Sequence, residues 1–157
     1  KIIIKVRCTM KIKGILTLFV ILALLSINSF AEVMDNNSSE SAIKQTVTNY
    51  LSGIDNRDTK TVENSLASTA DVITVNTVTN KTNELSHDDM ILQLQKGLIG
   101  GWKRDVNFAS IDFNEKTAVV KVEVTDQKLL RTSYISLIND AGQWKIVSDV
   151  SSIAVLK

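Results

Sequence analysis

Hydrophobic positions along this chain change their spacing twice, and each change marks a change of element. From Ser41 onward, Ile43, Val47, Tyr50, Leu51 and Ile54 recur at steps of three and four. That spacing places them on one face of an amphipathic helix. Ser38 or Ser39 is a candidate cap at its start, and Gly53 weakens its end. Beyond the polar turn Asp55-Asn56-Arg57, Asp58 caps a shorter second helix whose buried side is Val62, Leu66 and Ala67. From Asp71 to Val78 the period falls to two in a run rich in β-branched residues, which predicts a strand. Asn80-Lys81-Thr82-Asn83 is expected to turn, with Glu84-Leu85 as a brief returning strand. Ser86-His87-Asp88-Asp89 then has capping-box spacing, with Asp in place of the usual Glu. It opens a third helix buried through Met90, Ile91, Leu94 and Leu98 and ended by Gly97, Gly100 and Gly101.

The rest of the chain alternates. Val106 and Phe108 share one parity, whereas Ile111 and Phe113 share the other, so a bulge near Ala109-Ser110 is needed to keep one face apolar. Ala118, Val120, Val122 and Val124 form a regular strand. A third strand runs through Leu130, Thr132, Tyr134, Ser136 and Ile138, with Ile135 and Leu137 on the opposite parity. Asp140-Ala141-Gly142 is a tight turn, and Trp144 to Leu156 closes the sheet. Apolar residues on both parities mean that neither face is wholly wet. The chain is therefore expected to be α+β, with three N-terminal helices packed on a curved, mostly antiparallel sheet.

The N-terminal quarter of the 157 residues changes this picture in one respect. Met10-Lys11-Ile12-Lys13-Gly14 is a short basic segment, followed by an apolar run from Ile15 to Ile27 and by Ser29-Phe30-Ala31. These are the parts of a secretory signal peptide spanning residues 1–31, with cleavage expected after Ala31; residues 1–9 are either an extension of its basic segment or lie ahead of a start at Met10. The alternative is an uncleaved membrane anchor, although the run is short for a bilayer. Residues 32–40 read as a polar, disordered lead-in and 41–157 as a single domain. Five of the 18 basic residues and none of the 17 acidic ones fall within 1–31, leaving thirteen against seventeen and a mature charge of −4. No basic stripe survives, which argues against nucleic acid as a partner. Cys8, the single cysteine, also lies upstream of the cut, so the mature chain is expected to have neither disulfide nor thiol ligand. The expected product is a soluble secreted or periplasmic protein without stable membrane association.

The order helix, helix, strand pair, helix, long strands carries a resemblance. So do Tyr50-Leu51-Ser52-Gly53, Asp71, Leu85-Ser86, Ser110-Ile111-Asp112 before Thr117-Ala118-Val119-Val120-Lys121-Val122, and Gly142-Gln143-Trp144-Lys145-Ile146-Val147. Over Ser41 to Leu156 the chain resembles the nuclear transport factor 2-like (SnoaL-like) superfamily. Within it, the chain resembles the small exported proteins described as putative lumazine-binding. The resemblance implies a cone-like α+β fold, a cavity of aromatic-ligand size and a homodimer formed through the outer sheet face. Val119, Ile135, Val147 and Ile153 are the residues expected to supply the apolar patch of that interface. The chain departs from the family in having Leu66 and Ser68-Thr69 where an aromatic residue and a proline are usual, and it contains no proline.

Few residues offer chemistry. Asp71 stands before a strand where several superfamily enzymes place polar cavity groups, which makes it the one catalytic candidate. A lone carboxylate cannot supply paired acid-base work, and a turn or cap is the more ordinary use of such an aspartate. His87, the only histidine, falls in the first turn of a helix and is expected to be solvated. His87, Asp88 and Asp89 point about 100° apart in succession, so they do not converge on a metal. Tyr50, Trp102, Tyr134 and Trp144 are the candidate ligand-binding aromatics, each with an apolar body and a polar tip. Core packing is the ordinary reading for Trp144, whereas Trp102, beside Gly100-Gly101 and Lys103-Arg104, is expected near an opening. No phosphate loop, zinc motif, nucleophile elbow or dinucleotide fingerprint is present, and no cofactor is expected. The leading expectation is a non-catalytic domain binding a small apolar or aromatic molecule. The alternatives are a small isomerase, cyclase or dehydratase of the SnoaL-like kind, and a ligand-free dimerisation module.

Overall fold

The structure is a computed structural model that describes residues 37–156. The signal segment, its cleavage after Ala31 and residues 32–36 of the lead-in lie outside the described residues. Helix α1 occupies 37–56, followed by α2 (Thr59–Ser65), β1 (Leu66–Asn76), β2 (Lys81–Ser86) and α3 (His87–Gln95). Four strands complete the chain: β3 (Asp105–Phe113), β4 (Thr117–Thr125), β5 (Leu129–Asp140) and β6 (Gln143–Val155). They form one six-stranded sheet of order β2-β1-β6-β5-β4-β3. Among the described residues only the β1–β6 pair is parallel.

The core lies between the helices and one face of this sheet. Ile43, Val47, Tyr50, Leu51 and Ile54 of α1 are buried, as the three- and four-residue spacing requires. They pack over Val120 and Val122 of β4, Ile135 and Leu137 of β5, and Ile146 of β6. The predicted bulge is present: pairing of β3 with β4 shifts register between Phe108 and Ser110, which brings Phe108, Ile111 and Phe113 to the core side. Asp58 caps α2 through Thr61, and Ser86 caps α3 by accepting from the Asp89 amide while donating to its carboxylate.

Several boundaries differ from those expected. Residues 37–40 are already helical, so Ser38 and Ser39 lie within α1 instead of capping it. Gly53 does not end the helix. A Cβ there would lie 2.8 Å from Val62 Cγ2, so glycine is what lets α2 approach α1. Helix α2 stops at Ser65 because Leu66 is extended and pairs with Ile146, burying from a strand the side chain that a helix was expected to bury. Strand β1 consequently starts five residues before Asp71. The following turn falls at 77–80, earlier than expected, because Asn76 Oδ1 accepts from the Val78 and Thr79 amides. Leu98 is 69% exposed, since α3 ends at Gln95 and Gly97 turns the chain with φ of 66°. Ile135, expected on the outer face, is fully buried because it lies opposite Val120 and Asp149 on the inner one.

Candidate functional site

The inner face of the sheet is apolar at one end and polar at the other. The polar end is built by strand register. Pairing of β5 with β6 shifts between Ser136 and Leu137, opposite Ile146 and Ser148, so that Val147 is an extra residue. The bulge reverses the inward parity of β6. Trp144 and Ile146 face the core before it, and Asp149, Ser151 and Ile153 face inward after it. Arg131 and Ser133 of β5 stand opposite Ile153 and Ser151 on the same face.

Tyr50, Asp149, Arg131 and Ser133 form a connected hydrogen-bond chain. The Tyr50 hydroxyl donates to Asp149 Oδ2 at 3.1 Å, and Arg131 Nη2 donates to the same oxygen at 2.8 Å. Arg131 Nε donates to Ser133 Oγ at 3.2 Å. Thr74 and Ser151 hydroxyls meet at 3.1 Å one strand away. Asp149 is fully buried, and its Oδ1 has no partner among the described residues. Burial raises the Tyr50 pKa well above its ordinary value, and the Asp149 charge adds to this while the Arg131 charge partly offsets it. Tyr50 therefore acts as a neutral hydrogen-bond donor to the carboxylate.

A second arginine is held by the loop that follows α3. Arg57, at positive φ, donates from Nε to the Ile99 carbonyl and from Nη2 to the Gly100 carbonyl. A Cβ on Gly100 would lie 2.2 Å from the Ile54 carbonyl oxygen, so the loop reaches the end of α1 only because this residue is glycine. The loop delivers Arg104 to Asp55, where Nε and Nη2 crowd one carboxylate oxygen at 2.6 and 2.5 Å. The Arg104 side chain is 8% exposed, yet Nη2 makes no well-directed hydrogen bond. Short distance alone does not satisfy a donor; direction is also required. The guanidinium carbon lies 4.9 Å from the centroid of the Trp102 ring, within cation–π range.

Between the two arginines lies a cavity of about 160 Å³. Trp102, Val124, Leu129 and Ile153 give it apolar walls, and Arg104, Arg131 and Asp126 give it polar ones. Asp126 Oδ1 accepts from the Lys128 and Leu129 amides, which holds its carboxyl below the ordinary range. Two open grooves of about 480 and 510 Å³ continue outward past Trp102.

The aromatic candidates are divided by this geometry. Trp102 forms a wall of the cavity and is 43% exposed. Tyr50 does not line it and connects to it only through Asp149 and Arg131. Trp144 is buried opposite Asn139, next to the β5–β6 turn, in the apolar end of the core. Tyr134 is 52% exposed on the outer face, with Lys121 Nζ 5.9 Å from its ring centroid. Asp71 is exposed and stands opposite Ser148 on that outer parity, away from the cavity. His87 is less solvated than expected, with 15% of its side chain exposed and Nδ1 2.8 Å from Asp88 Oδ1. Among the described residues no three His, Cys, Asp or Glu side chains gather as a metal site would require.

Sequence reasoning missed Arg104, Asp126, Arg131 and Asp149. Its one usable signal was the parity of β6, where Trp144 and Ile146 disagree with Ile153 as the paired residues of β3 disagree.

Residues 38–151 match the family described as "Putative lumazine-binding". No functionally curated protein matches the chain. Among solved structures, the chain is similar to an NTF2-like protein of unknown function from Shewanella baltica, at 18% identity and a TM-score of 0.62, over 76% of this chain and 95% of that one. It is similar to another from Silicibacter pomeroyi, at 15% identity and a TM-score of 0.64, over 77% and 98%. A ketosteroid isomerase-like protein from Erwinia carotovora atroseptica shares the fold at 10% identity and a TM-score of 0.57, over 74% and 95%. Likeness at these identities speaks for the fold alone. With the match spanning most of the described residues, the chain belongs to the family described as putative lumazine-binding, and its curved sheet beneath the helices has the fold of the NTF2-like proteins.

Proposed function

We propose that this is an exported, non-catalytic domain that binds a small planar molecule. The ring packs against Trp102, and its acceptor edge turns toward Arg104 and Arg131. The observation that carries the reading is the cavity itself, in which an aromatic wall faces two guanidiniums at the polar end of the sheet's inner face. Pockets that recognise small molecules combine apolar walls with a few convergent polar groups in this way. The family's name points in the same direction, since lumazine is a planar heterocycle edged with carbonyl acceptors. Native mass spectrometry of protein taken from its own periplasm or medium tests the reading. A retained small molecule lost on Trp102→Ala supports it, and an empty protein that ignores planar heterocycles overturns it.

The unpartnered Oδ1 of Asp149 favours a second reading, a SnoaL-like isomerase or cyclase using Asp149 and Tyr50 for proton transfer. Burial argues against it, because Asp149 and Tyr50 do not line the cavity and connect to it only through Arg131, and a general base must come within hydrogen-bond reach of its proton.

Export rests on the basic, apolar and small-residue segments of 10–31. N-terminal sequencing of the exported protein is expected to begin at Glu32. Of the four residues expected to form a homodimer through the outer face, Ile135 and Ile153 point inward; the proposed interface rests instead on Val119 with Tyr134 and Val150, which are exposed and contiguous across β4, β5 and β6. Sedimentation equilibrium is expected to give twice the mature mass, and a charge introduced by Val119→Glu is expected to halve it.

A further inference from the structure

We infer that the cavity selects a neutral, single-ring lactam or imide, and discriminates against organic anions despite its two arginines. The inference rests on the binding reading above and adds the ligand's charge, size and edge chemistry.

Charge is the first argument. Arg104 is already paired with Asp55, and Arg131 with Asp149. Asp126 adds a third carboxylate on the cavity wall, and Lys103 and Lys128 stand in the outer grooves instead. Two guanidiniums thus face three carboxylates, and an entering anion finds no net positive charge to offset its desolvation.

Donors and acceptors are the second. Arg104 is more than nine-tenths buried and lines the cavity, and its Nη1 makes no hydrogen bond or ion pair among the described residues, so a carbonyl oxygen brought there gains a donor without displacing a partner. Asp126 keeps Oδ2 free of hydrogen bonds among the described residues, because only Oδ1 is used by the turn amides. A carbonyl acceptor adjoining an N–H donor is what a guanidinium beside a carboxylate complements, and a lactam or imide edge has that arrangement.

Volume is the third. The cavity, at about 160 Å³, is close to the size of an engineered apolar cavity of about 150 Å³ that accepts benzene. One ring fits; a second has to extend into the groove past Trp102.

The test follows the indole N–H signals of Trp102 and Trp144 by NMR while titrating three probes: uracil, lumazine and benzoate. Trp102→Phe assigns the signals. Uracil is expected to move the Trp102 signal and to bind about tenfold or more tighter than benzoate, the scale on which one uncompensated charge acts. Lumazine is expected to bind no more tightly than uracil. Asp126→Asn keeps an Oδ1 for the turn amides, and is expected to shrink the preference for uracil by about the same factor. Benzoate binding at Trp102 more tightly than uracil overturns the neutral class while leaving the cavity as a binding site. A preference unchanged in Asp126→Asn overturns the charge argument, and tighter lumazine binding overturns the single-ring limit. If none of the probes moves Trp102, the binding reading falls with the inference.

Discussion

The two ends of the sheet's inner face use the same strands for opposite purposes. At the closed end, Ala118, Leu137, Trp144 and Ile146 are buried and apolar. At the open end, Arg131, Ser133, Asp149 and Ser151 occupy equivalent inward positions on the same β5 and β6. The closed end stabilises by removing apolar area from water, about 1.5–3 kcal/mol for a fully buried aliphatic side chain. At the open end, burying a charge pair in place of hydrophobes contributes little net stability. A core that tolerates such a pair is keeping polar groups where stability does not require them, which is the pattern of a site.

The comparison can be broken first at the open end. Arg131→Met leaves Asp149 buried without its cation and is expected to cost about 3–5 kcal/mol in denaturant unfolding. The double variant Arg131→Met with Asp149→Leu is expected to recover most of that loss. Failure to recover would mean that the polar end is structural after all. At the closed end, Trp144→Ala is expected to cost about 3–5 kcal/mol by leaving a cavity, with no compensating partner change available.

Alkaline titration separates the ends more finely. Tyr50 is raised well above its ordinary value of 10.0 by burial, so above that pH the unfolded chain loses the phenolic proton while the folded one keeps it. The folded state then binds more protons, and stability falls as pH rises, by about 1.4 kcal/mol per unit for this group. Tyr50→Phe is expected to flatten that slope.

Smaller effects belong to the frame. Ser86→Ala removes the α3 cap and is expected to cost about 1 kcal/mol in thermal unfolding. Trp102→Ala, at the rim, is expected to change stability by less than about 0.5 kcal/mol while abolishing the response to planar ligands. A large loss of stability on Trp102→Ala would place that residue in the core and remove the aromatic wall from the binding reading.

Local rules carried much of the fold. The face of α1, the Asp58 and Ser86 caps, the bulge after Phe108 and the alternation of β4 all follow from spacing and capping chemistry within a few residues. Errors arose where a distant partner decided. Leu66 left the helix to pair with Ile146, and Ile135 turned inward because Val120 and Asp149 face it across the sheet. Of the aromatic candidates, Trp102 was legible because adjoining glycines and basic residues mark an opening. Tyr134 was not, because strand parity alone does not say which face is covered.

By itself, the sequence determined the class of fold, the order of its elements and the family, since periodicity, caps and turns act over short distances and survive without knowledge of the rest. Only the tertiary structure decided the site. Asp55, Trp102, Arg104, Asp126, Arg131 and Asp149 come from four separate segments, and an extra residue at Val147 reverses which side of β6 looks inward. A one-residue shift moves every later side chain of a strand to the other face, so the position of Asp149 depends on a pairing that the strand's own residues do not specify.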